Sequence, residues 1–152
     1  MNFTPRKEDS ATAKKGYQFE SIEKYMDKNE VTLSDSMTIM DACELIIKHK
    51  LTGSPVLDKD RKIVGMLTEK DCLRLVLESS YNNMPVQHKK VSEYMSTNVK
   101  TVSTENDLLD VANAFLNSHF RKFPVVHNGK LVGQVSRRDI LRAAMDMKKT
   151  TW

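Results

Sequence analysis

Apolar residues fall at helical spacing at Phe19, Ile22, Tyr25 and Met26, which predicts a short amphipathic helix ending near Met26. Val31-Thr32-Leu33 then reads as a brief strand. A stronger helix is predicted from about Thr38 to Lys50, with Ile39, Ala42, Cys43, Ile46 and Ile47 on one side and Leu45 widening that face. Gly53 stops it. Pro55-Val56-Leu57 is a short strand closed by a turn at Asp58-Lys59-Asp60, and Ile63 to Leu67 is the next strand. Thr68 then caps a helix predicted from Asp71 to about Glu78, with Cys72, Leu73, Leu75 and Val76 as its apolar contacts. Ser79 to Lys90 has no periodicity and carries Asn82-Asn83 and Met84-Pro85, so it reads as a connector.

After the connector the same order returns. Val91-Ser92-Glu93-Tyr94-Met95 stands 69 positions after Ile22-Glu23-Lys24-Tyr25-Met26, and the same offset pairs Thr32 with Thr101, Asp41 with Asp110, Pro55 with Pro124 and Val56 with Val125. One residue is lost in the hairpin turn, at His127-Asn128-Gly129. The offset becomes 68, pairing Val64 with Val132, Gly65 with Gly133, Asp71 with Asp139 and Arg74 with Arg142. A register whose only gap falls in a turn marks a tandem repeat. The divisions expected are an N-terminal arm at 1–17, a first repeat at 18–80, a connector at 81–90 and a second repeat at 91–148. A unit of about 60 residues builds only a modest core by itself, so two units packed about a pseudo-twofold axis are expected to complete each other. The fold class is therefore α/β of the α+β kind, each repeat a small sheet with two helices.

Composition narrows the function. The 152 residues are 39% hydrophobic, and 24 Lys plus Arg against 20 Asp plus Glu leave a net charge of +4 with both signs mixed along the chain. That is a mild bias toward anionic ligands, and the lack of aromatic interleaving argues against a nucleic-acid binder. No secretory leader or membrane span is visible, so no membrane partner is expected and the cytoplasm is the default compartment. Cys43 and Cys72 lack metal or redox spacing and read as buried, reduced thiols. His49, His88, His119 and His127 show no ligand spacing, and no catalytic triad, P-loop or dinucleotide fingerprint occurs.

The candidate chemistry is a stretch the chain carries twice, Gly65-Met66-Leu67-Thr68-Glu69-Lys70-Asp71 and Gly133-Gln134-Val135-Ser136-Arg137-Arg138-Asp139. A glycine within a strand admits a close approach to the backbone, and a hydroxyl three residues ahead of an aspartate opens a helix. A carboxylate can also accept from both hydroxyls of a cis-diol, so capping and ligand binding are both open at Thr68 with Asp71 and Ser136 with Asp139.

An apolar-x-x-apolar-Met lead-in, a Pro-Val strand, a hairpin and a Gly-x-x-Thr/Ser-x-x-Asp exit, present twice, resemble the cystathionine-β-synthase (CBS) domain pair, or Bateman module, over about Phe19 to Met147. The resemblance implies a stand-alone, non-catalytic regulatory module binding an adenosine-containing ligand such as AMP, ADP, ATP or S-adenosylmethionine, with AMP favoured. It requires no further cofactor, implies a homodimer, and leaves the target protein open. It assigns ribose binding to Thr68, Asp71, Ser136 and Asp139. Phosphate contacts are expected from Arg121, Lys122, Arg137 and Arg138, with Lys70 in the first repeat. An adenine pocket is expected at Ile39, Val56, Leu108 and Val125, with Gly65 and Gly133 keeping the cleft floor clear. Glu69 and the missing cations before Pro55 make the first half-site less suited to phosphate, which favours the half-site bounded by Arg137 and Arg138. Met37 and Met40 are candidates for packing against a second subunit. The alternative is a ligand-free interaction or dimerisation module in which both aspartates only cap helices.

Overall fold

The computed structural model describes residues 21–82 and 85–151, so the expected arm and Phe19 lie outside the described residues. Each repeat opens on a single 3-10 turn, Ile22–Lys24 or Val91–Glu93. The first repeat continues with β1 (Leu33–Ser34), α1 (Ile39–Lys48), β2 (Gly53–Leu57), β3 (Ile63–Thr68) and α2 (Glu69–Asn82). The second follows with β4 (Val102–Ser103), α3 (Leu108–Leu116), β5 (Lys122–His127), β6 (Lys130–Ser136) and α4 (Arg137–Thr151). The two three-stranded sheets have the same topology: β1 runs parallel to β2 and β4 to β5, and β2–β3 and β5–β6 are antiparallel hairpins. The one-residue gap falls in the hairpin turns. Asn128 and Gly129, at φ of 51° and 76°, close the second hairpin in two residues, whereas the first is tied by Asp58, whose carboxylate accepts from the backbone of Asp60 and Lys62.

Two boundaries move. The helix expected near Met26 is a 3-10 turn only, because Asp27 leaves it to pair with β6. The second helix starts at Glu69 and runs through Ser79 to Asn82, so the connector is shorter than expected. Polar residues prolong a helix whose apolar face has ended, and Pro85 lies just beyond it.

The core is where the repeats depend on each other. Ile22, Tyr25 and Met26 pack into the cluster of the second repeat, with Val102, Val111, Phe115, Phe123 and Val135. Val91, Tyr94 and Met95 pack into that of the first, with Leu33, Ile39, Ile46, Val56 and Leu67. The lead-in turns are thus exchanged between repeats. Backbone bonds hold each one: Asp27 and Gln134 exchange N–H···O bonds of 2.8 and 2.9 Å, and Ser96 and Met66 exchange two of 2.9 Å. Ile39, Val56, Leu108 and Val125, expected around an adenine, are all core residues here, at most 6% exposed.

The exchange explains both strand glycines. A Cβ on Gly65 would lie 2.9 Å from the Ser96 carbonyl oxygen and 2.4 Å from Met95 Sδ. On Gly133 it would meet the Asp27 carbonyl at 2.9 Å and Met26 Sδ at 2.8 Å. The close approach that these glycines permit comes from the other repeat's lead-in segment.

Candidate functional site

Both repeated corners form reciprocal caps. Asp71 Oδ2 accepts from the Thr68 backbone N–H at 2.9 Å and its hydroxyl at 3.0 Å, while the Asp71 N–H donates to Thr68 Oγ1 at 3.3 Å. In the second repeat Asp139 Oδ2 accepts from the Ser136 N–H at 2.8 Å, and the Asp139 N–H donates to Ser136 Oγ at 3.1 Å. The remaining carboxylate oxygen faces an arginine one helical turn on, Arg74 at 3.6 Å from Asp71 and Arg142 at 3.0 Å from Asp139. Each carboxylate is nearly buried, and each arginine is exposed. Capping therefore occupies one oxygen of each aspartate and leaves the other polarised by a guanidinium.

These corners open onto a groove between the repeats. One cavity of about 260 Å³ is lined by Thr52, Gly53, Met66 and Thr68 from the first repeat and by His119, Phe120, Arg121, Lys122 and Gln134 from the second. Thr52 and Arg121, Gly53 and Lys122, and Met66 and Gln134 are pairs at the repeat offset, so this cavity lies astride the pseudo-twofold axis. A smaller cavity of about 170 Å³ adjoins it through Lys122 and Gln134, and is completed by Asp27, Ser136 and Asp139.

Of the expected phosphate contacts, Arg121 and Lys122 line the groove. Arg137 does not. Its Nε donates to the Phe120 carbonyl at 3.0 Å, and the side chain lies beside the hollow between α3 and α4. Lys70 and Arg138 are exposed and line neither groove cavity. Asp27, Gln134 and His119 were not expected at the site. Gln134 carried a signal, as the residue following the strand glycine. Asp27 carried none, since it reaches this half-site only through the exchange of lead-in turns.

The outer helix faces differ in character from the groove. Between α1 and α2 lies a cavity of about 550 Å³ lined by Met40, Cys43, Ile46, Ile47, Leu51, Cys72, Leu73 and Val76, among others. Its counterpart between α3 and α4, about 530 Å³, includes Phe115, Leu116, Ile140 and Leu141. Ile47 is 76% exposed and Leu116 84%. Met40 belongs to this outer face, whereas Met37 packs against the core. Cys43 and Cys72 are free and only half-buried; burial, the Cys43 side chain and nearby Asp71 and Glu69 push the Cys72 thiol up to about 12. No described helix is long and apolar enough to cross a membrane.

The fold and groove define a duplicated α+β module with a cleft shared between its repeats. The chain belongs to the CBS domain family, whose model matches it twice, at residues 22–78 and 91–146. CBSX1, a CBS domain-containing chloroplastic protein of Arabidopsis thaliana, is 27% identical over an alignment covering 86% of this chain and 66% of that protein. The chain spans 42%, 65% and 66% of the lengths of curated relatives from Methanocaldococcus jannaschii, Acidianus ambivalens and Arabidopsis thaliana. Among solved structures, CBSX2 in complex with AMP is similar at a TM-score of 0.70 and 30% identity, covering 84% of this chain and 98% of that one. The CBS domain pair of MJ0100, in complex with 5′-methylthioadenosine and S-adenosyl-L-methionine, is similar at 0.65 and 25%, covering 86% and 98%.

Proposed function

We propose that this protein is a non-catalytic regulatory module that binds an adenosine-containing ligand in the groove between its repeats, with AMP favoured. The observation carrying this reading is the meeting of Ser136, Asp139 and Lys122 around one cavity. A carboxylate with one oxygen clear of its cap accepts from a ribose diol, and cations at Arg121 and Lys122 suit a phosphate nearby. The AMP complex of CBSX2, at 30% identity, supports the choice of AMP. Binding acts on a partner protein to the extent that the ligand prefers one arrangement of the two repeats. Both corner carboxylates are engaged in helix caps and arginine pairs, which favours a binding role over a catalytic one. The apolar outer faces support a homodimer, since large exposed residues at Ile47, Leu73, Leu116 and Leu141 recur at equivalent places in both repeats.

Thermal unfolding with AMP, ADP, ATP, S-adenosylmethionine and NAD tests the ligand. At least one is expected to raise the midpoint, because a ligand that binds only the folded state stabilises it by mass action. Asp139→Ala is expected to cancel the rise at its half-site, and Lys122→Ala to weaken AMP more than adenosine. No shift with any of the five at millimolar concentration would leave the ligand-free dimerisation module as the better reading. For the dimer, sedimentation of Ile47→Glu combined with Leu116→Glu is expected to give a monomer.

A further inference from the structure

Glu30 stands apart from the capped corners and the groove lining. It lies on the stretch joining the first lead-in turn to β1, and both carboxylate oxygens are shut off from solvent without a hydrogen-bond partner. The charged groups around it come from three elements: Asp27 on its own stretch, Lys122 on β5 and Arg61 in the β2–β3 turn. Burial and the Asp27 charge push its carboxyl from 4.5 up to about 7, against the pull of Lys122 and Arg61. Near neutral pH, then, both protonation states of Glu30 are populated.

Lys122 connects this carboxyl to the groove. Its charge acts on Glu30, and it also lines both groove cavities. The arrangement has no counterpart across the pseudo-twofold axis, where Ser96 and Val99 stand in place of Asp27 and Glu30. We propose that Glu30 is a specificity-determining residue that selects ligand charge at the Asp139 half-site. Ionised, it offsets the Lys122 ammonium and adds to the negative field of Asp27 and Asp139, which disfavours a phosphate. Protonated, it leaves Lys122 to meet one. A phosphate-bearing adenosine ligand accordingly binds with partial proton uptake by Glu30, greatest just above neutral pH, while uncharged adenosine binds without it. The inference rests on the adenosine-ligand reading above.

Calorimetric titration of AMP and of adenosine between pH 6.0 and 8.5 decides it, using the wild type, Glu30→Val and Glu30→Gln. Comparison between proteins cancels the protonation of AMP itself. At pH 8.5 both variants are expected to bind AMP about fivefold more tightly than the wild type, with the gap closing toward pH 6. Adenosine is expected to show no such gap. Glu30→Val reproduces the residue of the second repeat, and Glu30→Gln carries the test if the valine variant does not fold. Equal AMP affinities in wild type and variants at every pH overturn the role of Glu30 and leave the adenosine reading intact. Absence of binding by either ligand to any of the proteins overturns that reading, and the selection with it.

Discussion

The half-sites at Asp71 and Asp139 share a hydroxyl, a carboxylate, a cap and an arginine one turn on, yet their surroundings differ in charge. At Asp71 the docked lead-in brings Ser96 and Val99, and Thr52 and Gly53 stand ahead of Pro55. The corresponding sequence positions of the other half are Asp27, Glu30, Arg121 and Lys122, of which Asp27 and Lys122 line the cavity at Asp139. The cap geometry persists because helix formation requires it whether or not a ligand is present. Charge around the cap is under no such constraint. Because the lead-ins are exchanged, each half-site draws its strand from one repeat and its lead-in from the other, so acids and cations of different origin collect beside Asp139.

Several substitutions test how far the likeness between the halves extends. The largest effect is expected from Gly65→Ala and Gly133→Ala. Each new methyl meets a backbone carbonyl as well as a methionine, and a loss of about 2–3 kcal/mol in urea unfolding is expected at both positions. A much smaller loss at one of them would mean that the two lead-ins are docked unequally. Next come Asp71→Ala and Asp139→Ala, at about 1–2 kcal/mol. Asp71 is expected to cost more, since it accepts from both the N–H and the hydroxyl of Thr68 and is the more buried.

Glu30→Val is expected to change stability in a way that depends on pH. A carboxyl whose folded value is about 7 and whose ordinary value is 4.5 binds more protons folded than unfolded between those limits. Its favourable contribution is complete below pH 4.5 and is lost as pH rises through 7. The wild type should therefore lose about 1 kcal/mol over that window, a figure reduced for partial solvent screening, and Glu30→Val should not. Parallel pH–stability curves for the two proteins would contradict this. The smallest effects belong to Arg74→Ala and Arg142→Ala, exposed pairs worth about 0.5 kcal/mol or less. Arg142 should be the larger, at 3.0 Å from its aspartate against 3.6 Å for Arg74.

The fold was legible because repetition supplied a second reading of each element: the strand at Pro55 and the strand at Pro124 corroborate each other, and so do the core helices. What stayed hidden is partnership. The spacing of Ile22, Tyr25 and Met26 marks them for burial, but periodicity does not say in which core, and only the structure places them with Phe123 and Val135. The same limit applies to the glycines, where a close approach was legible and the lead-in that makes it was not. Arg137 lies between the hydroxyl and aspartate in sequence, yet on a helix it projects from a different face than they do, and Phe120 takes its guanidinium. Ile39 and Val125 were expected at the ligand because the family resemblance implies an apolar adenine pocket there, and both side chains are fully buried in the core. Glu30 had no signal, since nothing in a run of Lys28, Asn29 and Glu30 distinguishes a buried carboxyl from a solvated one.

The exchanged lead-in turns also set a schedule for synthesis. A chain emerging from the ribosome makes Ile22 early, but the pocket for it is complete only after β6 and α4 have followed, more than a hundred residues later. The first repeat must likewise wait for Val91 and Tyr94. Such long-range contacts slow folding and leave apolar turns exposed in the interval. Two nascent copies held close together, as on one polysome, therefore present each other with a choice of pocket, and a lead-in turn that closes on its neighbour instead of its own chain would yield an interlocked pair.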